Sequence, residues 1–308
     1  MKDETGKYSV ITFATNKMDY VRFALNCAES ILLYNDLRIF IVSNLDFPIP
    51  DKFKNKIFIV SARAEDAALG IGIKLYIDEY IQTEHTLFID SDCIVFGDLG
   101  EVFKLCEGMD VSVAGNIVPT EHWCGKTQAQ TIKDNWGIEK IIRFNGGLYY
   151  IRNSETTKRI FNNARKIAER YDEYGFDRIK NKWINEEAPL GIAMTIENQR
   201  PIPDDGRFMT DLYTDQRPSR INVLTGARLL RNPALPSRKH RPWYPGRFSP
   251  IILHFGGSNL NSYPYRSQNL LLKLNRMHVP AFIGSLLVNV FVHLPYKSYH
   301  WLRSSDKE

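Results

Sequence analysis

Thr86-Leu-Phe-Ile-Asp-Ser-Asp-Cys-Ile-Val-Phe-Gly-Asp-Leu99 is the stretch on which the fold reading turns. Thr86–Ile89 is a short run of β-branched and apolar residues, which predicts a buried strand. That strand delivers two carboxylates, Asp90 and Asp92, two residues apart. In extended geometry positions i and i+2 point the same way, so both can face one cation at the strand tip. Mg²⁺ and Mn²⁺ suit such a pair, because they take oxygen ligands from one or two carboxylates and from substrate phosphates. Asp98 is an internal control: Gly97-Asp98 has the chemistry of a turn or a helix cap.

On either side of this stretch, strand-like and helix-like segments alternate. Tyr8–Ala14, Leu37–Val42, Lys56–Val60, Val111–Ala114 and Leu148–Ile151 read as strands. Tyr20–Tyr34, Gly72–Tyr80 and Ser154–Tyr171 carry apolar residues at helical spacing. This alternation predicts an α/β domain with a mostly parallel central sheet flanked by helices. Ligands of such sheets bind at the carboxyl ends of the strands, where Asp90 and Asp92 fall. Residues 200–250 are rich in Pro, Gly and Arg and read as irregular.

The C-terminal third is chemically different. The chain has a net charge of +5, yet no Asp or Glu occurs from Gln216 to Ser305. Thirteen Lys or Arg lie there, Arg217, Arg220 and Arg266 among them. Such a segment implies an anionic partner: a diphosphate, nucleic acid or an anionic membrane. Ser267–His278 reads as a basic amphipathic helix. Val279–Tyr296 carries no charge, but Pro280, Asn289, His293 and Pro295 argue against a membrane span. A helix lying on a membrane surface is the expectation, with a core-packed terminal helix as the alternative. The four cysteines form no CxxC pair and the N-terminus has no apolar signal region, so a cytoplasmic protein, peripheral on the inner face of the membrane, is expected.

Four blocks, in order, carry a resemblance to the GT-A glycosyltransferases, specifically the retaining family 8 (the glycogenin and lipopolysaccharide galactosyltransferase group). They are Val10–Tyr20, Lys74 through Leu99, Phe144-Asn-Gly-Gly-Leu-Tyr-Tyr-Ile151, and Ile251-Ile-Leu-His-Phe-Gly-Gly257. The resemblance covers residues 8–260. It implies a Rossmann-like GT-A catalytic domain over 1–265 and a basic, aromatic helical extension over 266–308. It implies that Asp90, Asp92 and His254 bind Mn²⁺ or Mg²⁺. Ala14, Asn16 and Tyr20 would surround the nucleotide base, and Lys74 would reach the phosphate or donor sugar. Ser91 would join the donor site, and Gly256 and Gly257 would let the backbone approach the diphosphate. Asn145 and Gly146 would bound the sugar pocket, while Glu186 or Glu187 would lie beside the anomeric carbon. Asn116 is assigned to the donor or acceptor. Two positions depart from the family: Asn16 replaces its base-reading Asp, and Leu260 a late Lys, whose place Arg266 could take.

The expected activity is therefore transfer of a sugar from a nucleoside diphosphate sugar, a UDP-sugar by resemblance, to a carbohydrate or lipid-linked acceptor, with retention. A nucleotide-sugar nucleotidyltransferase is the nearest rival, but Ala14–Tyr20 has no glycine and so lacks that class's phosphate loop. A nucleic-acid-binding protein is the other rival. No helix-turn-helix, zinc-finger or RNP signature accompanies the basic segment, and no nucleic acid is expected.

Overall fold

The computed structural model describes residues 1–3, 5–212 and 221–305. Gln216, Arg217 and Arg220 lie outside the described residues, as do the side chains of Trp301 and Arg303. Two compact units divide the chain. One comprises 1–24, 36–91 and 99–204; the other comprises 25–35, 92–98 and 205–308.

The first unit is built on a seven-stranded sheet. Its strand order is Ile57–Ser61, Arg38–Ser43, Tyr8–Phe13, His85–Ile89, Lys140–Arg152, Val111–Pro119, Ile202–Pro203. The first four run parallel to one another. Lys140–Arg152 runs antiparallel to both of its neighbours, and Ile202–Pro203 is again parallel to Val111–Pro119. The sheet is mostly parallel, as expected. Val10, Ile11, Ile39, Ile41, Leu87, Phe88 and Ile89 are fully buried, which is the continuous apolar pattern that a sheet covered on both faces requires.

The helices follow local chemistry. Glu155–Glu169 begins where the Ser154 side chain accepts the Thr157 N–H at 3.1 Å, which satisfies a first-turn donor. Ile160, Phe161, Ala164, Ile167 and Ala168 then form one buried stripe. Glu187–Ile196 is apolar nearly all round and mostly buried. Ile160, Phe161, Leu190, Ala193 and Met194 pack with Phe13, Phe88 and Tyr149 in the main core. The expected helix at Gly72–Tyr80 is instead a 3₁₀ segment, Gly70–Glu79, kinked at Tyr76.

In the second unit Met209–Asp211, Ile252–His254 and Cys93–Val95 form a small sheet, Ile252–His254 in the middle. Among its described residues, the expected irregular region contains strands of two or three residues only. The basic helix runs over Tyr263–Arg276. Beyond it, Ala281–Val288, a π-turn at Asn289–His293 and Leu294–Ser305 follow one another. Gly284 lies over Leu271 and Leu274, and Tyr263 stacks on Tyr296 with ring centroids 3.7 Å apart. This packing leaves Phe282, Leu286, Val290 and Leu294, spaced by four, on the outside with Phe291. Among the described residues no helix is long and apolar enough to cross a membrane.

The strand expected at Leu148–Ile151 starts earlier: Asn145-Gly146 lies in the middle of the thirteen-residue strand Lys140–Arg152. The partner strand accommodates the glycines by a register shift between Val113 and Gly115. A Cβ on Gly115 would sit 2.3 Å from the Arg143 carbonyl oxygen and 2.7 Å from the Phe144 Cβ. Backbone atoms of a paired strand cannot retreat as a flexible side chain can. Gly115→Ala is therefore expected to lower unfolding stability by about 1–3 kcal/mol. Urea denaturation will measure it; an unchanged midpoint would mean that the strand pair yields more easily than its geometry implies.

Candidate active site

In the first unit chain order reverses between Tyr8–Phe13 and its parallel neighbour His85–Ile89. Such a switch point opens a crevice at the carboxyl ends of the strands. Ala14–Asn16 follow one strand and Asp90 follows the other. Ala14 is fully buried, and its N–H donates to the Val42 carbonyl at 2.9 Å. Asn16 takes a left-handed backbone, φ 69°. Its amide nitrogen donates to the Ala67 carbonyl at 2.7 Å, and its side-chain oxygen accepts from Asn44 at 3.1 Å. Asn16 therefore ties its own loop to the segment of Asn44 and to the short helix Ala64–Ala68. Tyr20 is exposed, with the Phe23 ring edge-on to it at a centroid distance of 6.3 Å.

Lys74 organises the rest of this group. Its side chain is 12% exposed, so it is no solvated helix lysine. Its ammonium donates to Asp90 Oδ2 at 2.7 Å and to the Gly146 carbonyl at 2.8 Å, and it lies 3.3 Å from Glu186 Oε1. An ammonium this buried stays charged only where oxygens replace its lost water. The Asn185–Glu187 segment is likewise not the solvated cap it could have been: Glu186 is buried. Asn185 Oδ1 accepts from the Glu187 N–H, and Glu187 Oε1 accepts from the Gly146 N–H at 3.2 Å. Asn145 Oδ1 accepts from Gly147 at 3.0 Å.

Tyr149 was not foreseen as a site residue. Its hydroxyl donates to Glu186 Oε1 at 3.2 Å. Burial pushes its pKa well above the ordinary value, and the charges of Glu186 and Asp90 push the same way, so the hydroxyl keeps its proton. Among the described residues Glu186 Oε2 is buried without a hydrogen-bond partner. Gly146 is what makes room for this arrangement, since a Cβ there would stand 2.5 Å from Glu186 Oε1 and 3.1 Å from Lys74 Nζ. The signal in the sequence was the glycine pair beside an aromatic; only the fold shows what it faces. Asn116 is a half-buried residue paired with Arg143 in the neighbouring strand. Ser91, nearly buried, begins the turn after Asp90.

In the second unit the central residue is His254. Its Cα partners are Cys93 on one side and Asp211 on the other. His254 Nε2 lies 3.1 Å from Asp92 Oδ1, and Nδ1 lies 2.9 Å from Asp211 Oδ1. Burial disfavours the charged imidazolium, but hydrogen bonds and charge from Asp211 and Asp92 outweigh it and hold the pKa well above the usual value. Asp211 also meets Arg241 Nη2 at 3.5 Å, and Tyr244 lies under that guanidinium with its hydroxyl 3.1 Å from Thr210. Donor atoms of Asp92, Cys93 and His254 all lie within 4.8 Å of one another. With Nδ1–H given to a carboxylate, the imidazole is oriented to offer Nε2 to a cation. Asp211 was not read from the sequence, because nothing in Met209-Thr-Asp211 marks it before its strand is paired. Gly257 has φ 62°, a conformation that favours glycine, and nothing stands within 4 Å of where its Cβ would be. Gly256 precedes it against the His254 ring. Asp98 lies between the bends at Gly97 and Leu99, just before the helix Gly100–Leu105, whose N-cap is Leu99.

No protein-family model and no curated protein matches the chain. Solved structures do. An active-site mutant of LgtC aligns at a TM-score of 0.51 with 14% identity, covering 81% of this chain and 87% of LgtC. The galactosyltransferase LgtC in complex with donor and acceptor sugar analogs gives 0.50 over the same shares. Mouse xyloside xylosyltransferase 1 gives 0.50 with 11% identity, covering 82% of this chain and 98% of that one. The chain spans less than half, 45%, of the glycosyltransferase GlyE of Streptococcus pneumoniae. The likenesses to LgtC and to xyloside xylosyltransferase 1 establish the fold: the central sheet and its flanking helices are of the GT-A type.

The shared ammonium makes a testable demand. Lys74→Met removes the cation from between Asp90 and Glu186 and leaves buried carboxylate charge uncompensated. The expected loss of stability is about 3–5 kcal/mol, read from urea denaturation at neutral pH. A loss below about 1 kcal/mol, the worth of an exposed pair, would contradict the buried arrangement.

Proposed function

We propose that this chain is a metal-dependent glycosyltransferase that moves a hexosyl group from a nucleoside diphosphate sugar, UDP-linked, to a hydroxyl of a glycan or glycolipid, with retention at the anomeric carbon. The observation that carries the reading is His254, set between Asp92 and Asp211 at 3.1 and 2.9 Å, in a chain of GT-A fold. Catalysis is assigned to residues 1–265.

The donor set fits a divalent cation. Asp92 offers oxygen and His254 offers Nε2, with Nδ1 engaged by Asp211. Asp90, by resemblance, is the second carboxylate of the site. The cation, Mn²⁺ or Mg²⁺, supplies charge neutralisation to the departing nucleoside diphosphate. A cation that draws on Asp90 competes with Lys74, whose ammonium is then available to a phosphate or to the donor sugar. Gly256 and Gly257 present bare backbone beside His254 for the diphosphate. Ala14, Asn16 and Tyr20 receive the base, Tyr20 by stacking. Ser91 completes the donor-binding set.

Around the sugar, Asn145, Gly146, Glu186 and Glu187 bound the pocket. Glu186 Oε2, a buried acceptor with no donor among the described residues, suits a sugar hydroxyl. A carboxylate whose other oxygen is held by Tyr149 and Lys74 is poorly placed to move as a nucleophile. Retention is accordingly assigned to front-face attack, with no covalent glycosyl-enzyme. Asn116 is assigned to donor or acceptor.

Residues 266–308 are assigned to an anionic membrane surface that presents a lipid-linked acceptor, on the inner, cytoplasmic face. The support is the outward stripe of Phe282, Leu286, Val290 and Leu294, in a stretch that has no carboxylate.

Calorimetry with UDP, GDP, ADP and CDP, each with and without Mn²⁺, tests the first part. Selective Mn²⁺-dependent binding of UDP is expected, weakened at least about 10- to 100-fold in Asp92→Ala. Full binding by that variant would remove the metal assignment. For the tail, the double variant Phe282→Ser/Phe291→Ser is expected to cut the partition coefficient onto anionic vesicles by at least about a hundredfold, at about 1.5–3 kcal/mol for each buried Phe. Unaltered partitioning would assign the stripe elsewhere.

A further inference from the structure

We propose that the cation site carries a sulfur ligand: Asp92, Cys93 and His254 together hold a thiophilic divalent cation, of the zinc class, through one oxygen, one thiolate and one imidazole nitrogen. This rests on the reading that Asp92 and His254 ligate a cation, and it deepens that reading by naming the kind of ion.

Three observations carry it. First, the ligand atoms of the three residues lie within 4.8 Å of one another, so a single ion can reach all of them after small side-chain adjustments. Second, Cys93 and His254 are directly opposed Cα partners of an antiparallel pair. Opposed residues project to the same face of a sheet, so the thiol belongs to that face by backbone register and not through a flexible loop. Third, the three differ in access. Cys93 is fully buried, while the Asp92 and His254 side chains are 21% and 14% exposed. The thiol forms the floor of the site, and the carboxylate and imidazole form its open side. Asp211 holds Nδ1 of the imidazole at 2.9 Å, which is the supporting contact that metal-ligating histidines use.

The donor chemistry then ranks the ions. Mg²⁺ and Mn²⁺ prefer oxygen in octahedral geometry, whereas thiolate and imidazole favour Zn²⁺ and Co²⁺. Three protein ligands with one open position suit a tetrahedral ion that still accepts a water or a phosphate oxygen. On binding, the Cys93 thiol gives its proton to solvent and the thiolate bonds the metal, with no change in oxidation state. Zinc-class ions would accordingly displace Mn²⁺ from this site, so the donor complex answers to which metal is at hand.

Cobalt(II) is the probe. Added to the metal-free full-length protein, it is expected to give an intense near-ultraviolet thiolate-to-cobalt band and visible bands of tetrahedral strength. Zn²⁺ should abolish both. The bands should be absent in Cys93→Ser, in Cys93→Ala and in Asp92→Ala, and should persist in Cys124→Ser, the control for the half-buried thiol. Zn²⁺ affinity should fall about 10- to 100-fold in Cys93→Ser, while Mn²⁺ affinity stays within about twofold, since an oxygen-preferring ion gains little from sulfur. The wild-type spectrum needs no variant, so the test survives if the Cys93 variants fold poorly. Cobalt bound in an Asp92-dependent way but without a thiolate band would overturn the sulfur ligand and leave the oxygen–nitrogen site standing. Failure of cobalt, zinc and manganese alike to bind would overturn both.

Discussion

A buried ammonium must be surrounded by oxygens or it will not stay charged, and Lys74 imposes that condition on the first unit. Its oxygens come from three places in the chain: Asp90 at the end of the switch-point strand, the Gly146 carbonyl in the long antiparallel strand, and Glu186 at the start of a buried helix. Each element is held in position by its own packing, and Lys74 converts the three positions into one charge-balanced group. Gly146 leaves room for this convergence, since a Cβ there would crowd the Glu186 carboxylate and the Lys74 ammonium. Tyr149 stays protonated because the same carboxylates, together with burial, oppose its ionisation. Asp90, the Gly146 carbonyl and Glu186 are therefore brought together by one cation and not by separate local motifs.

In the second unit the corresponding constraint is backbone register. His254 lies between Cys93 and Asp211 in a three-stranded sheet, so its two ring nitrogens face acidic partners at fixed separations. Asp211 in turn is anchored to Arg241, whose guanidinium rests over Tyr244. The orientation of one imidazole is thereby referred back to a basic, aromatic loop some thirty residues further on in the chain than Asp211. The same register that makes His254 a ligand candidate makes Cys93 its neighbour, which is why a sulfur donor follows from the fold and not from a spacing rule.

Much of this was legible in the residues. Thr86–Ile89 announces itself as a buried strand, and Ser154 with its downstream apolar stripe announces a capped helix, because both signals are local. The Asp90-Ser-Asp92 pair at a strand tip, and the histidine and glycines of Ile251–Gly257, are read the same way. What was not legible depends on partners far away. Lys140–Gly147 hid its strand behind Asn145-Gly-Gly, which has turn chemistry until the bulge at Gly115 and the carboxylate at Glu186 explain the missing side chains. Tyr149 looked like one more core aromatic. Asp211, in a three-residue strand of no distinctive pattern, acquires meaning only when Ile252–His254 pairs with it. Nor does local sequence tell that Tyr20 is exposed and Glu186 buried, because burial is set by the surrounding fold.

The pairing of Cys93 with His254 joins segments about 160 residues apart, and closing a loop of that length costs about 4–5 kcal/mol of chain entropy. Strand hydrogen bonds and burial offset that cost in the bare protein. A cation clasped by Asp92 and His254 would act on the same closure, as a reversible cross-link between distant parts of the polypeptide. The ion would then be a clasp of the tertiary structure as well as a partner of the ligand, and its loss would be felt in the cooperativity of unfolding before any chemistry is considered.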